Sequence, residues 1–106
     1  MQENVSATAY VVTGALAMIT AEVPVHNEEE FPIEFSLYNQ VLDPNGQIVT
    51  TTETRYKLGP RRQETIEDEM LRVKDPVNEL TGYQMRALLT VDGQVLHTVE
   101  VEIEKE

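Results

Sequence analysis

The chain is 106 residues long, has no cysteine, and carries eight Lys and Arg against nineteen Asp and Glu, a formal charge of −11. That length holds one domain with an independent core, burying roughly two-thirds of its unfolded surface, while the missing thiols exclude disulfides, thiolate metal sites and cysteine nucleophiles. The charge repels phosphate backbones and anionic lipid, which sets nucleic acid and membrane surfaces aside as partners, and no apolar run approaches the roughly eighteen residues of a spanning helix.

The N-terminal Met1-Gln2-Glu3-Asn4 lacks a basic stretch followed by an apolar one, so no export signal is read. Val5 to Val12 alternates small apolar with polar residues and reads as a first strand, a candidate for a sheet edge, ended by Thr13-Gly14. In Ala15 to Val25, Ile19, Ala21, Val23 and Val25 share a face. Pro24 cannot donate to a ladder, so it predicts an edge position or a bulge near the strand's end. His26-Asn27-Glu28-Glu29-Glu30 is a polar turn.

The most informative stretch follows. Ile33, Phe35, Leu37 and Val41 recur with the two-residue period of a half-buried strand. Asp43-Pro44-Asn45-Gly46 reverses the chain, because Pro44 presets φ, Asp43 accepts from nearby amides and Gly46 tolerates positive φ. The β-branched run from Gln47 to Lys57, with Ile48, Val49 and four threonines, crowds a helix and suits a pleated sheet. Together these residues predict a hairpin whose apolar face needs a second sheet.

Leu58-Gly59-Pro60 breaks the ladder. The segment from Arg62 to Arg72 is ambiguous: good helix formers and the i, i+4 pair Ile66 and Met70 favour a helix, whereas a sandwich needs a strand here to cross between sheets. Leu71 and Val73 restore the strand period if one bulge falls near Met70, and the segment is read as a strand. Lys74 to Gly82 is the longest loop. Tyr83, Met85, Ala87, Leu89 and Val91 form one strand face, Asp92-Gly93 is a hairpin turn, and Val95, Val99, Val101 and Ile103 share a face of the last strand, with His97 among them. About seven short strands without a firm helix predict an all-β, immunoglobulin-like antiparallel sandwich. The chain starts and stops almost within strands, so residues 1–106 are expected to be one domain taken from a larger multidomain protein.

Few residues invite chemistry. Ser6 and Ser36 with His26 and His97 lack the context of a nucleophile and its base. His26 abuts acids and reads as a surface histidine, since zinc needs three or four convergent ligands. Glu28, Glu29, Glu30, Glu67, Asp68 and Glu69 are carboxylates of the kind that cut glycosidic bonds in pairs, yet adjacent acids point alternately and read as solvated surface. Asn27 to Glu30 lacks the spaced oxygen ligands of a calcium loop. We therefore expect no catalytic residue, metal or cofactor. Tyr38 and Tyr56 are placed across the hairpin from each other on its outer side, as a small stacking surface or plain cross-strand packing. Arg55, Lys57, Arg61 and Arg62 concentrate half of the cations within eight residues, a solvated loop or a docking patch. Asn4-Val5-Ser6 matches a glycosylation sequon.

Several phrases together resemble the immunoglobulin-like β-sandwich domain of glycoside hydrolase family 2, which comprises β-galactosidases, β-glucuronidases and β-mannosidases. They are Ala21 to Asn27, a strand ending in Asn before an acidic turn; Leu42 to Val49, similar to a "D-x-x-G-x-x-V" hairpin; Leu58-Gly59-Pro60 with Thr65-Ile66; Met70 to Pro76, similar to a strand ending in "V-x-N-P"; and Tyr83 to Gly93. After Asp75-Pro76 the family's Leu-Trp pair is replaced by Val77-Asn78-Glu79-Leu80-Thr81-Gly82. The family's catalytic glutamates sit on a separate barrel domain and none of its catalytic motifs maps here. The resemblance thus implies a structural module of a bacterial glycosidase. Its partners would be neighbouring domains, reached through Arg55, Lys57, Arg61, Arg62, Tyr38 and Tyr56 and through the Lys74 to Gly82 loop, and it would be a monomer when isolated. The alternative is a stand-alone adhesion or ligand-binding module of a bacterial surface protein.

Overall fold

A computed structural model describes residues 6–13, 16–73 and 82–105, and these form two four-stranded sheets. The strands are β1 (Ser6–Thr13), β2 (Leu16–His26), β3 (Ile33–Leu42), β4 (Ile48–Leu58), β5 (Gln63–Val73), β6 (Gln84–Val91), β7 (Gln94–Glu102) and the short β8 (Glu104–Lys105). One sheet has the order β5-β2-β1-β8 and the other β4-β3-β6-β7. All pairings are antiparallel except β1 with β8. The predicted all-β, immunoglobulin-like sandwich is therefore the observed fold. Its core lies between the sheets, where Ile19, Ala21, Val23 and Val25 of β2 meet Phe35, Leu37 and Val41 of β3 and Met85, Ala87 and Leu89 of β6.

The ambiguous segment is strand. β5 pairs with β2 from His26↔Gln63 through Ala17↔Val73, with a register shift where Glu69 and Met70 of β5 oppose Thr20 alone. This is the bulge that the spacing of Ile66, Leu71 and Val73 requires. Ladder bonds to a central strand, together with burial of Ile66, outweigh helix propensities worth only tenths of a kcal/mol per residue.

Two expectations about edges change. β2, which carries Pro24, is central and not at an edge. The proline is tolerated because it pairs with Thr65 on one side and lies two residues beyond the last described β1 pair, Ser6↔Glu22. Among the described residues β1 pairs on its other side with β8 over two residues, Thr8↔Glu104 and Ala9↔Lys105. The Lys74 to Thr81 part of the predicted long loop lies outside the described residues.

Two further bulges change which side chains face the core. Val41 pairs with Thr50 but Leu42 pairs with Ile48, so Val49 is an extra residue in β4. Leu89 pairs with His97 but Thr90 pairs with Val95, so Leu96 is extra in β7. Each inserted residue inverts the facing of everything on one side of it. Val95 consequently leaves the face that holds Val99, Val101 and Ile103, which corrects the alternation read from sequence. Among the described residues, four of the five large apolar residues exposed to solvent, Ile48, Val49, Val95 and Leu96, lie at these two bulges.

Candidate interaction surfaces and a buried polar cluster

The bulge at Val49 decides the fate of the two tyrosines. Without it Tyr56 would lie opposite Glu34, on the same face as Tyr38. With it, Tyr56 pairs with Phe35 and faces the core side, while Tyr38 pairs with Glu53 and faces out. The Tyr56 ring packs against Phe35 at a centroid distance of 5.7 Å and an interplanar angle of 39°, and its hydroxyl donates to Glu64 of β5. The Tyr38 hydroxyl donates to Glu53 Oε2 at 3.2 Å. The two rings lie on opposite sides of the sheet, so the expected joint stacking surface does not exist. Tyr56→Ala is expected to cost about 2 kcal/mol of stability, since it removes a partly buried ring, whereas Tyr38→Ala should stay within about 0.5 kcal/mol. Urea denaturation of the two variants checks this, and equal losses would contradict the opposite facing of the two rings.

Carboxylates stand beside three of the four clustered cations. Arg55 Nε lies 3.4 Å from Glu53 Oε2, and Arg61 Nη2 lies 3.4 Å from Glu30 Oε1. Lys57 is directly across the strand pair from Glu34. These pairs are exposed and contribute little to stability. Arg55 and Lys57 line a groove with Glu34, Ser36 and Asp92, to which Phe35 and Tyr56 also contribute. Arg61 and Arg62 belong to the β4–β5 turn, where Arg61 holds a positive φ of 57° and its amide donates to Glu29 O at 3.1 Å. The structure thus places Arg55 and Lys57 together, with Tyr38 farther along the same outer face. Arg61 and Arg62 lie at the end of the sandwich, and Tyr56 faces inward.

That end is organised by Asn27, which in the sequence is merely one member of a polar turn. Its Nδ2 is shared among the carbonyls of Phe31 (2.9 Å), Leu58 (3.2 Å) and Gly59 (3.0 Å), its Oδ1 accepts from Glu29 N at 2.9 Å, and its own amide donates to Arg62 O at 2.9 Å. Though polar, Asn27 is only 5% exposed. It ties the β2–β3 loop to the β4–β5 turn. Beside it an apolar groove of about 420 Å³ opens between β2 and β7, lined by Val25, Phe35 and Leu96 and rimmed by His26 and His97. His26 Nδ1 lies 3.6 Å from Glu28 Oε1. Among the described residues no three potential ligands gather to hold a metal ion.

One carboxylate departs from the expected acidic coat. Asp68 of β5 is 7% exposed and points between the sheets, where its Oδ2 accepts from Asn39 Nδ2 at 3.3 Å and from the Thr52 hydroxyl. Asn39 is fully buried on β3, and its Oδ1 has no hydrogen-bond partner among the described residues. Asp68 therefore belongs to the core, unlike the exposed Glu28, Glu29, Glu30 and Glu67. The signal for this was parity: Asp68 lies two residues after Ile66, on the strand's buried face. None of the three residues lines either groove described above.

The fold and surfaces define a two-sheet immunoglobulin-like module. No family model matches the sequence, and no curated protein matches it. Solved structures do. A Bacteroides fragilis protein assigned as a β-galactosidase is 25% identical, with a TM-score of 0.76 over 92% of this chain and 15% of its own. A β-glucuronidase from glycoside hydrolase family 2 is 17% identical, with a TM-score of 0.75 over 92% of this chain and 11% of its own. A protein from Archaeoglobus fulgidus is 19% identical, with a TM-score of 0.55 over 98% of this chain and 97% of its own. The structural neighbours thus include family 2 β-galactosidases and β-glucuronidases, and the chain has the fold of a β-sandwich segment of such enzymes, as the sequence resemblance implies. It spans 11–15% of the length of those two glycosidase chains.

Proposed function

We propose that this chain is a non-catalytic β-sandwich module of a bacterial glycoside hydrolase of the β-galactosidase type, serving to position neighbouring domains. The observation that carries the reading is the asymmetry of coverage: nearly the whole chain superposes on a small fraction of each glycosidase. Contact with neighbours falls to the outer face bearing Tyr38, Arg55 and Lys57 and to the turn bearing Arg61 and Arg62. Tyr56 packs its ring on Phe35 and also lines the groove with Arg55 and Lys57. The one buried convergence of polar side chains among the described residues, Asn39, Thr52 and Asp68, supports a structural role, since it lines neither groove and joins strands of both sheets.

The chain is expected to release no nitrophenol from nitrophenyl β-galactoside or β-glucuronide. Turnover above background that disappears in Asp68→Asn would overturn the reading. A second reading, a stand-alone ligand-binding module, draws on the groove between β2 and β7 and on the likeness to an archaeal protein of nearly the same extent. A glycan or peptide array separates the two. Specific binding lost on Leu96→Asp would favour the second.

A further inference from the structure

We propose that Asn45 is a site of spontaneous conversion to aspartate and isoaspartate, and that Asp43 is the latch that sets its rate. The chain has five asparagines, and Asn45 alone is followed by glycine. The reaction needs the next residue's backbone nitrogen to reach the asparagine side chain, and a following side chain obstructs that approach. At Gly46 the space where a Cβ would stand is open, with nothing within 4 Å. Asn45 itself is exposed at the tip of the β3–β4 hairpin, and none of the described hydrogen bonds holds its side chain. By contrast Asn27 and Asn39 are buried and bonded within the fold.

The chemistry is self-contained and uses only water. The Gly46 nitrogen gives its proton to solvent base and attacks Asn45 Cγ, the new N–Cγ bond forms, and the Cγ–Nδ2 bond breaks to release ammonia. Water then opens the cyclic imide. Scission of the N–Cγ bond leaves aspartate; scission of the bond between that nitrogen and the Asn45 backbone carbonyl leaves isoaspartate, whose backbone is one carbon longer.

The turn restrains the attacking nitrogen. Gly46 N donates to Asp43 O at 2.9 Å, and Gly46 holds a φ of 82°. Asp43 Oδ1 accepts from both Asn45 N and Gln47 N at 2.9 Å, and Asp43 N donates to Gln47 O at 2.9 Å. Cyclisation therefore requires the loop to open first, and the Asp43 carboxylate opposes that opening through two hydrogen bonds. Once formed, isoaspartate lengthens the turn and cannot restore this pattern, so conversion loosens the hairpin end next to Ile48 and Val49.

The test incubates the 106-residue chain in mildly alkaline buffer at body temperature and follows peptide mass and isoaspartyl methyltransferase labelling. A free peptide covering residues 41–48 serves as the unrestrained reference. The expected result is conversion confined to Asn45, slower than in the peptide. Asp43→Ala should accelerate it on the order of tenfold, the factor for losing two modest hydrogen bonds, while Asp43→Asn, which keeps an acceptor oxygen for the Asn45 and Gln47 amides, should stay near the parent rate. No conversion after the peptide has fully reacted would overturn the site. A folded-chain rate equal to the peptide's, or an Asp43→Ala rate equal to the parent's, would overturn the latch.

Discussion

Asp68→Ala is expected to lower the unfolding free energy by about 3 kcal/mol, because it strips the buried Asn39 amide and the Thr52 hydroxyl of their shared acceptor while leaving both inside the sandwich. Asn39 already has one buried oxygen without a partner among the described residues, so little slack exists at the site to absorb a second loss. For a domain of this length that corresponds to a fall in midpoint temperature of roughly 15 °C. Asp68→Asn keeps one acceptor oxygen for both donors while removing the charge and turning the other oxygen into an amide donor, and should cost about 1 kcal/mol. Thermal denaturation followed by circular dichroism compares the pair. If alanine proved as mild as asparagine, the hydrogen bonds would not be what holds β3, β4 and β5 together at this point.

The second large effect concerns Asn27. Asn27→Ala leaves the carbonyls of Phe31, Leu58 and Gly59 and the amide of Glu29 without the side chain that serves them, and a loss of about 3 kcal/mol follows from several unmade bonds at a largely buried position. The damage should be local in character. Hydrogen exchange is expected to quicken most at the amides of Asn27 and Arg61, whose acceptors lie across the two loops, with the β3–β6 ladder changing only through global stability. Uniform acceleration along the chain would argue against Asn27 as a tie between the loops.

Sequence periodicity makes the core strands plain, because Ile33 to Val41 and Tyr83 to Val91 alternate at every position but Asn39 and Leu88 and each sits on a half-buried face. It also locates the bulge near Met70, since only an extra residue reconciles Ile66 with Leu71 and Val73. It fails at Val49 and Leu96, where the residue inserted is itself apolar. An apolar insertion leaves the pattern looking unbroken while inverting the facing, and this misplaces Tyr56 and Val95. It fails again at Asn27 and Asp68, because a polar residue buried for its hydrogen bonds looks the same in sequence as one left in water. Both lie beside acids that are solvated, which hides them further. Four cations within eight residues suggest a basic patch, but Glu30 beside Arg61 and Glu34 across from Lys57 come from other parts of the chain and enter only through the fold, while Glu53, two residues from Arg55, is legible in the sequence.

The parallel contact between β1 and β8 has a mechanical consequence. Thr8 is aligned with Glu104 and Ala9 with Lys105, so a pull on the front of β1 and the back of β8 slides the two strands past each other instead of peeling them apart. The cross-links of both pairs are then loaded at once and must give way together. Held in a polypeptide under tension, this sandwich would stretch less readily than one whose outermost strands could be unzipped bond by bond.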